Sequence, residues 1–244
     1  SAAAMKSADN FYQGDASKWR KFANSLMLRV AMRMSKVDPA AAEQWVKTAV
    51  ANGVFESDAD NCMLMHAGGL TTNDFSEPYA KIYSHEDRGN FFLTEYFVDL
   101  LKSTNDPRLS LIGTVCEEPT ISVQAGSDFQ YGNSDPAVQK GLPSGFSDSP
   151  DSPWFVGNKY PEFKDEDYRS TYRSRYSTIN RYTYSDSTGP TFVCTYAQTQ
   201  LLLAEAAVRG WVDGSAQTYY ENGVRAACGS SHSSPTARRC IISI

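Results

Sequence analysis

The stretch DASKWRKFANSLMLRVAMRMSKVDPAAAEQWVKTAVANG, residues 15–53, decides the fold because it predicts two helices joined by a tight turn. On a helical wheel of about 100° per residue, the apolar stripe of the first helix consists of Trp19, Phe22, Ala23, Leu26 and Val30. Leu28 lies on the opposite side, and methionines and alanines fill much of the rest. A helix that is apolar nearly all round is covered on more than one side. We therefore expect this helix inside a stack of helices.

Two arginines interrupt this apolar surface. Arg33 projects into the middle of the stripe and Arg29 onto its edge. A buried guanidinium must be paired and hydrogen-bonded, because an unpaired buried charge strongly destabilises the fold. We therefore predict that Arg29 and Arg33 form structural ion pairs, the alternative being an anion or ligand contact.

The second helix carries clear boundary signals. Asp38 fits the N-cap, Pro39 fits the first helical position, and a glycine fits the end. Trp45 and Val46 mark its apolar face, and the turn before it is only a few residues long. A short turn makes two helices antiparallel neighbours. Residues 15–53 therefore predict a helical hairpin.

Helical spacing recurs in three later stretches. The predicted helices and their N-terminal signals are 91–102 after Asn90, 191–209 after Pro190, and 216–227 after Ser215. The predicted buried side of the first of these holds Phe92, Tyr96, Phe97 and Leu100. A short apolar piece within residues 54–66 predicts a strand or an extended segment. The last two helices form a second hairpin, residues 190–227. Two such hairpins predict a mainly α fold, a tetratricopeptide-like α-solenoid with a large irregular, loop-rich insertion at residues 110–189.

The insertion is rich in proline, glycine and serine and has little periodicity. A structureless run this long is unusual in a compact domain unless it is functional or disordered. Its aromatic side chains argue against simple disorder, and loops held by a rigid scaffold often carry binding residues. Sugar rings stack on aromatic faces and bond through their hydroxyls to polar neighbours. The predicted ligand-binding residues are Trp154, Phe155, Tyr131, Phe129 and Asn158. The alternative is that these aromatics anchor their own loop.

Charge and composition exclude some partners. The net charge of −5 argues mildly against nucleic acid, which prefers basic surfaces. Residues 168–185 do alternate tyrosine with arginine and serine, a mixture that can stack on bases. The flanks of this stretch are acidic, however, and no recognisable RNA or DNA motif accompanies it. We therefore expect no nucleic-acid partner.

No motif predicts catalysis or a cofactor. The histidines His66, His85 and His232 are scattered, and His85 lacks the second histidine that a zinc protease helix needs. Neither a phosphate-binding glycine loop nor a dinucleotide fingerprint occurs. Acidic residues such as Glu117 and Glu118 are plentiful, but a glycosidase needs two facing carboxylates, which proximity in sequence does not supply. We therefore expect a protein that is not an enzyme and has no cofactor.

Metal binding is equally weakly indicated. Oxygen ligands suited to calcium occur without a recognisable spacing at Asp148, Asp151, Asn158 and Asp165. The five cysteines show no metal-binding spacing and are interpreted as free thiols; they are Cys62, Cys116, Cys194, Cys228 and Cys240. We therefore predict no metal site.

Several motifs resemble one known family. KWRKFANSLMLRVAMRMSKVDP at 18–39 is similar to the central helix of the SusD/RagB family of outer-membrane nutrient-binding lipoproteins. Four later motifs follow in the family's order: DPRL at 106–109, GLPSG at 141–145, TYAQTQLLLAEAAVRGW at 195–211 and YYENGVRAA at 219–227. The resemblance implies a cell-surface, outer-membrane glycan-binding protein that delivers oligosaccharide to a TonB-dependent transporter of the SusC type. A RagB-like peptide receptor and a helical interaction scaffold without a small ligand are the alternatives.

The resemblance also implies that the chain is a fragment. Family members are about twice as long and begin with a lipoprotein signal and a lipidated cysteine, so residues 1–227 resemble the central and C-terminal part, without the lipid anchor. Residues 228–244 depart from the family pattern, because the final helix should continue there. We interpret this tail as frame-shifted or disordered sequence.

Overall fold

A computed structural model describes residues 6, 8–69, 78, 91–116, 132–147, 149–164, 176–180 and 187–230. Its helices are α1 (Ala16–Arg33), α2 (Pro39–Ala51), α3 (Glu95–Ser103), α4 (Leu109–Ile112), α5 (Tyr196–Val208) and α6 (Ala216–Ser230). Its strands are β1 (Cys62–Leu64), β2 (Gly113–Cys116), β3 (Gly132–Asn133), β4 (Ser177–Ile179) and β5 (Thr191–Cys194). Short 3-10 helices are Asp58–Asp60, Val156–Asn158 and Pro161–Lys164. The predicted mainly helical class is confirmed, and the tetratricopeptide-like solenoid stays a prediction.

The described residues fall into two compact units. The helical unit contains those up to His66 and those from Pro190 onward, and the loop-rich unit contains those between Ala67 and Gly189. In the helical unit, α1 packs on α2 and on α5, and α5 packs on α6. One apolar core joins both hairpins and consists of Leu28, Ala31, Met32, Ala42, Val46, Ala49, Val54, Leu203, Ala206 and Trp211.

The most deeply buried residues of helix α1 lie outside the apolar stripe predicted from sequence. Leu28 is fully buried, whereas Val30 is 53% exposed and Trp19 is 37% exposed. The shift has a polar cause, because the side chains of Asn24 and Ser25 are buried where α2 ends. Asn24 Nδ2 donates to two backbone carbonyls beyond that end, at 3.0 and 2.9 Å, and Ser25 Oγ accepts a backbone N–H at 2.9 Å. The buried face therefore combines apolar core residues with polar groups that satisfy the end of the neighbouring helix.

The prediction that Arg29 and Arg33 are buried and form ion pairs is wrong, because it assumed that both side chains are buried. Arg33 is exposed, and Arg29 is only partly buried. Arg29 Nη1 donates to the carbonyl oxygen of Val193 at 3.1 Å and to Oε1 of Gln198 at 3.3 Å, both neutral acceptors. Within the part of the chain that the structure describes, neither arginine pairs with a carboxylate. Arg29 thus connects α1 to β5 and α5 through hydrogen bonds to neutral groups.

Strand β5 occupies the first turn of the helix that was predicted at residues 191–209. It runs antiparallel to β1, with Cys62 opposite Cys194. We call this pair of strands the neck, because β1 precedes the loop-rich unit in the chain and β5 follows it. The predicted strand within residues 54–66 is therefore confirmed. Helix α5 begins only after the neck, where Thr195 Oγ1 accepts the N–H of Gln198 at 3.1 Å as an N-cap.

Helix α3 also begins later than predicted. Thr94, not Asn90, is the N-cap, because the preceding residues are extended and paired. The N–H of Leu93 donates to the carbonyl of Ser177, and the carbonyl of Leu93 accepts the N–H of Leu142, both at 2.8 Å. The helix consequently turns Val98 and Leu101 inward. The predicted buried side is wrong in part, because Tyr96 and Leu100 are exposed.

The loop-rich unit is more regular than its sequence suggests. Strands β3, β2 and β4 form an antiparallel sheet in that order. Gln139 is buried beside this sheet, and its Nε2 donates to the carbonyls of Gly113 at 3.2 Å and Asn133 at 3.0 Å. Under the sheet lies an apolar cluster of Leu93, Val98, Leu101 and Leu109. The predicted irregular insertion therefore contains a small sheet, and the apolar cluster comes from α3, α4 and Leu93, which precedes α3.

The predicted boundary at residue 227 is not a break in structure. Helix α6 continues to Ser230, so the helix that the family pattern requires does extend beyond Ala227. The remainder of the predicted tail, residues 231–244, lies outside the described residues.

Asp60 ties α1 to the 3-10 helix before the neck and gives a first prediction. Its carboxylate accepts the ammonium of Lys21 at 3.1 Å and the N–H of Glu56 at 2.9 Å, and Lys21 also reaches Glu56 Oε2 at 2.6 Å. Burial alone would raise the pKa of Asp60, but the hydrogen bond from Glu56 and the contact with Lys21 hold it below its usual value. We expect Asp60→Asn to lower the free energy of unfolding at pH 7 by about 1–3 kcal/mol.

The pH dependence of this loss of stability follows from the direction in which the pKa of Asp60 is shifted. A carboxyl whose folded pKa is depressed contributes stability above its unfolded pKa, near 4, and loses it as the pH falls through the folded value. The free energies of unfolding of wild type and Asp60→Asn, measured in urea, should therefore differ at pH 7, and the difference should shrink as the pH falls below about 4. Asp58→Asn, at an exposed carboxylate of the same turn, serves as the control. A constant difference across this pH range would contradict the assignment.

Candidate functional site

The segment that carries Trp154 is held by backbone hydrogen bonds. The N–H of Ser147 donates to the carbonyl of Trp154, and the N–H of Val156 donates to the carbonyl of Ser147, both at 2.8 Å. A turn between these contacts is closed by the N–H of Ser152 on the carbonyl of Ser149 at 3.0 Å. The chain on either side of Trp154 is therefore fixed in a turn that is proline-rich and loop-like in sequence.

Phe155 is buried, so the prediction that it binds ligand is wrong. Its side chain is 6% exposed and packs in one cluster with Val156 and Tyr176. Gly157 belongs to the same arrangement, because a Cβ there would meet the ring of Phe155. Phe155 thus anchors the segment, which is the alternative role that the sequence left open.

Trp154, in contrast to Phe155, faces solvent. Its side chain is 70% exposed, although both neighbours along the chain, Pro153 and Phe155, lie in the fixed turn. A large exposed indole on a hydrogen-bonded turn is a flat surface that suits a ligand ring. Of the predicted ligand contacts that the structure describes, Trp154 is the one whose geometry favours the role most.

Sequence reasoning missed a second aromatic group in this unit. The rings of Phe146 and Tyr160 meet edge to face, with centroids 5.7 Å apart. Lys159 Nζ lies 5.5 Å from the centroid of Phe146 and 5.0 Å from that of Tyr160. The hydroxyl of Tyr160 donates to Glu95 Oε2 at 3.3 Å. These cation–π contacts orient the exposed side chain of Lys159. The position of Lys159 next to Tyr160 in the sequence was the signal that could have indicated this group.

The other predicted contacts divide into exposed and undescribed residues. Asn158 is exposed at the end of its 3-10 helix, where its side-chain amide is available to a ligand. Tyr131 and Phe129 lie outside the described residues, as do the calcium candidates Asp148 and Asp165. In the described ranges, no cluster of three or more His, Cys, Asp or Glu side chains could hold a metal ion. The helices in those ranges are also too short or too polar to cross a membrane.

The DPRL motif is an ion-paired turn after α3. Asp106 accepts the backbone N–H and the Nε of Arg108, both at 2.9 Å. The Arg108 guanidinium holds the pKa of the Asp106 carboxyl below its usual value. The motif therefore fixes the route from α3 into α4 and β2, which is a structural role.

The GLPSG motif fixes the backbone beside α3 and gives a second prediction. Gly141 is buried, and a Cβ there would collide with the carbonyl oxygen of Thr94 and with the backbone N and Cα of Glu95. The next residue, Leu142, accepts the N–H of Glu95 at 2.9 Å. Backbone atoms cannot move aside as a flexible side chain does. We expect Gly141→Ala to destabilise the chain by about 1–3 kcal/mol in urea unfolding.

Ser144→Ala is the matched control for this substitution, because Ser144 lies in the same motif and is exposed. It should change the free energy of unfolding by less than about 0.5 kcal/mol. Equal stability of the two variants would show that the backbone of Gly141 lies farther from Thr94 and Glu95 than the structure indicates.

Comparison with known proteins places this arrangement in a family. A family model described as SusD-like, starch-binding and associating with the outer membrane matches residues 1–235. A solved chitin-binding protein is 32% identical over 91% of this chain, with a TM-score of 0.66. A SusD-like protein of Bacteroidetes AC2a is 25% identical over 93%, with a TM-score of 0.73. A SusD-like protein of Bacteroides thetaiotaomicron VPI-5482 is 29% identical over 94%, with a TM-score of 0.61.

These similarities cover nearly all of this chain but less than half of each solved protein. The chain spans 42%, 49% and 39% of the three relatives' own lengths. Comparison with curated proteins gives no match. The family model nevertheless extends over residues 1–235 of 244. The chain therefore belongs to the SusD-like family, whose description associates it with the outer membrane.

Proposed function

We propose that this chain is the ligand-binding part of a cell-surface protein that captures oligosaccharides for import. The observation that carries the proposal is the exposed indole of Trp154 on a fixed turn. Aromatic rings bind sugars through the apolar face of the pyranose, and a fixed ring binds at a low entropic cost. Membership of the SusD-like family supports a nutrient as the ligand.

Capture needs no chemical step. A sugar ring stacks on Trp154, and its hydroxyls bond to the amide of Asn158 and to the ammonium of Lys159, which are both exposed. No bond of the ligand is made or broken, so we do not expect turnover. The bound oligosaccharide passes to a SusC-like, TonB-dependent transporter in the outer membrane. The helical hairpins, arranged as in a tetratricopeptide solenoid, present the packing surface for that transporter, and a lipid anchor holds the protein at the membrane.

The family description and one relative support a particular class of sugar as the ligand. The family description names starch, and one relative is a chitin-binding protein. Both polymers are neutral chains of glucose-type rings. The flat faces of these rings stack well on an indole and do not need a charged pocket. We therefore propose a neutral gluco-oligosaccharide or its N-acetylated counterpart as the ligand class. A RagB-like peptide ligand remains the alternative.

Isothermal titration calorimetry of the 244-residue chain tests this proposal. The ligands are malto-oligosaccharides, chito-oligosaccharides and a mixture of short peptides, each at the same concentration. Saturable heat with either oligosaccharide supports the proposal. Heat with peptides alone would replace the glycan by a peptide, and no heat with any of them would favour a helical scaffold without a small ligand.

A further inference from the structure

We infer that Cys62 and Cys194 form a disulfide that closes the neck once the protein reaches an oxidising compartment. The inference stands on the geometry of the neck and does not use the proposed ligand. Cys62 lies in the strand before the loop-rich unit, and Cys194 in the strand after it. The bond would join the two chain segments that lead into and out of that unit.

The strand register places the two cysteines opposite each other. Cys62 and Cys194 are Cα partners in the antiparallel ladder, next to an irregularity that precedes Met63. Residues directly opposite in such a ladder have Cα atoms about 4.5–5.5 Å apart and side chains on the same face. A disulfide requires Cα atoms about 4.4–6.8 Å apart. The register of the neck therefore favours a backbone spacing that suits the bond.

The two side chains also share one buried environment. Each cysteine is 2% exposed, and both belong to a cluster with Tyr12 and Phe55. Burial raises the pKa of Tyr12, and the neighbouring thiols of Cys62 and Cys194 raise it further, so both sulfur atoms lie near one phenol. Strand pairing and shared burial thus place both thiols in one small region of the neck.

The reaction is thiol–disulfide exchange with a small-molecule or protein disulfide as oxidant. The thiolate of one cysteine attacks the donor and releases one donor thiol, and the second cysteine then attacks the mixed disulfide and releases the other. The two cysteines lose two protons and two electrons in total, and the donor becomes two thiols. Burial raises the pKa of both Cys62 and Cys194, so the reaction is slow in the folded neck. The bond should therefore form during folding or when the neck opens.

The family's association with the outer membrane makes such chemistry accessible, because exported proteins cross an oxidising space. Oxidation in the cell depends on the proposed location of the protein, whereas the bond itself can be measured on purified protein. A bond between the two strands encloses the whole of residues 63–193, and long closed loops give some of the larger stabilisations. We expect the oxidised chain to melt about 5–10 °C above the reduced chain.

The purified 244-residue chain is unfolded in urea and refolded by dilution into a glutathione redox buffer. Free thiols are then alkylated, and the chain is digested and analysed by mass spectrometry without reduction. The expected product is a peptide pair that links Cys62 to Cys194 and gains two hydrogens on reduction. Alkylation of both residues after refolding, or bonds from them mainly to other cysteines, would overturn the inference.

Melting curves with and without dithiothreitol give an independent measurement. Wild type and Cys228→Ser, which changes a cysteine outside the neck, should both show the difference in melting temperature. Cys194→Ala should abolish it. If that variant fails to fold, the peptide analysis of the wild-type chain still decides the question. An undiminished difference in a folded Cys194→Ala would overturn the inference.

Discussion

Trp154→Ala is expected to weaken oligosaccharide binding by about 30-fold, because an exposed tryptophan at the centre of a binding site contributes about 2 kcal/mol. The side chain is 70% exposed, so its loss leaves no cavity in the core. Thermal unfolding should therefore change little, while the dissociation constant from calorimetry rises. Trp154→Phe keeps an aromatic face and should recover part of the affinity.

Trp45→Ala is the matched control, because this tryptophan is also exposed, at 48%, but lies in the helical unit. It should leave the dissociation constant unchanged. If both variants bind as well as wild type, Trp154 is not a ligand contact, and the glycan proposal loses its main support. If both weaken binding equally, the loss reflects a general effect on the fold.

Leu28→Ala should lower the free energy of unfolding by about 3 kcal/mol, since a buried leucine loses transfer energy and leaves a cavity. Leu28 is fully buried, in the core that joins the two hairpins. Val30→Ala, only two residues along the same helix, removes a side chain that is 53% exposed and should change stability by less than about 0.5 kcal/mol.

Urea unfolding followed by far-UV circular dichroism measures both variants, provided that each retains wild-type helix content. The order of the two effects is the informative result. The apolar stripe deduced from sequence would make Val30 a costly position as well, in a helix covered on more than one side. A loss of stability for Val30→Ala at least as large as that for Leu28→Ala would show that the buried face of α1 is wrong.

The helices of the first hairpin were predictable from sequence because their boundary signals are local. The side chain of Asp38 accepts the N–H of Ala41 at 3.0 Å, and Pro39 begins α2, as its fixed φ angle favours. The orientation of α1 was not predictable from apolar spacing alone. Asn24 and Ser25 face inward because their partners are backbone groups of another segment, which a helical wheel does not contain.

Long-range pairing explains the other errors. Thr191 and Val193 have branched side chains that suit a strand, yet β5 exists only because β1 lies beside it. In the same way, Leu93 is extended because it pairs with residues 142 and 177. At the candidate site, aromatic content pointed to the segment that carries Trp154. It did not separate buried Phe155 from exposed Trp154, since that difference depends on which ring reaches Tyr176 and Val156.

The neck also determines how this protein can vary. His66 Nε2 and Thr191 Oγ1 are hydrogen-bonded at 2.9 Å, so the chain leaves the helices and returns to them at neighbouring points. A segment with adjacent ends is exchangeable as a cassette, because its length and conformation do not change the distance that the scaffold must span. Residues 67–189 can therefore be shortened, extended or replaced during evolution while both hairpins keep their common core.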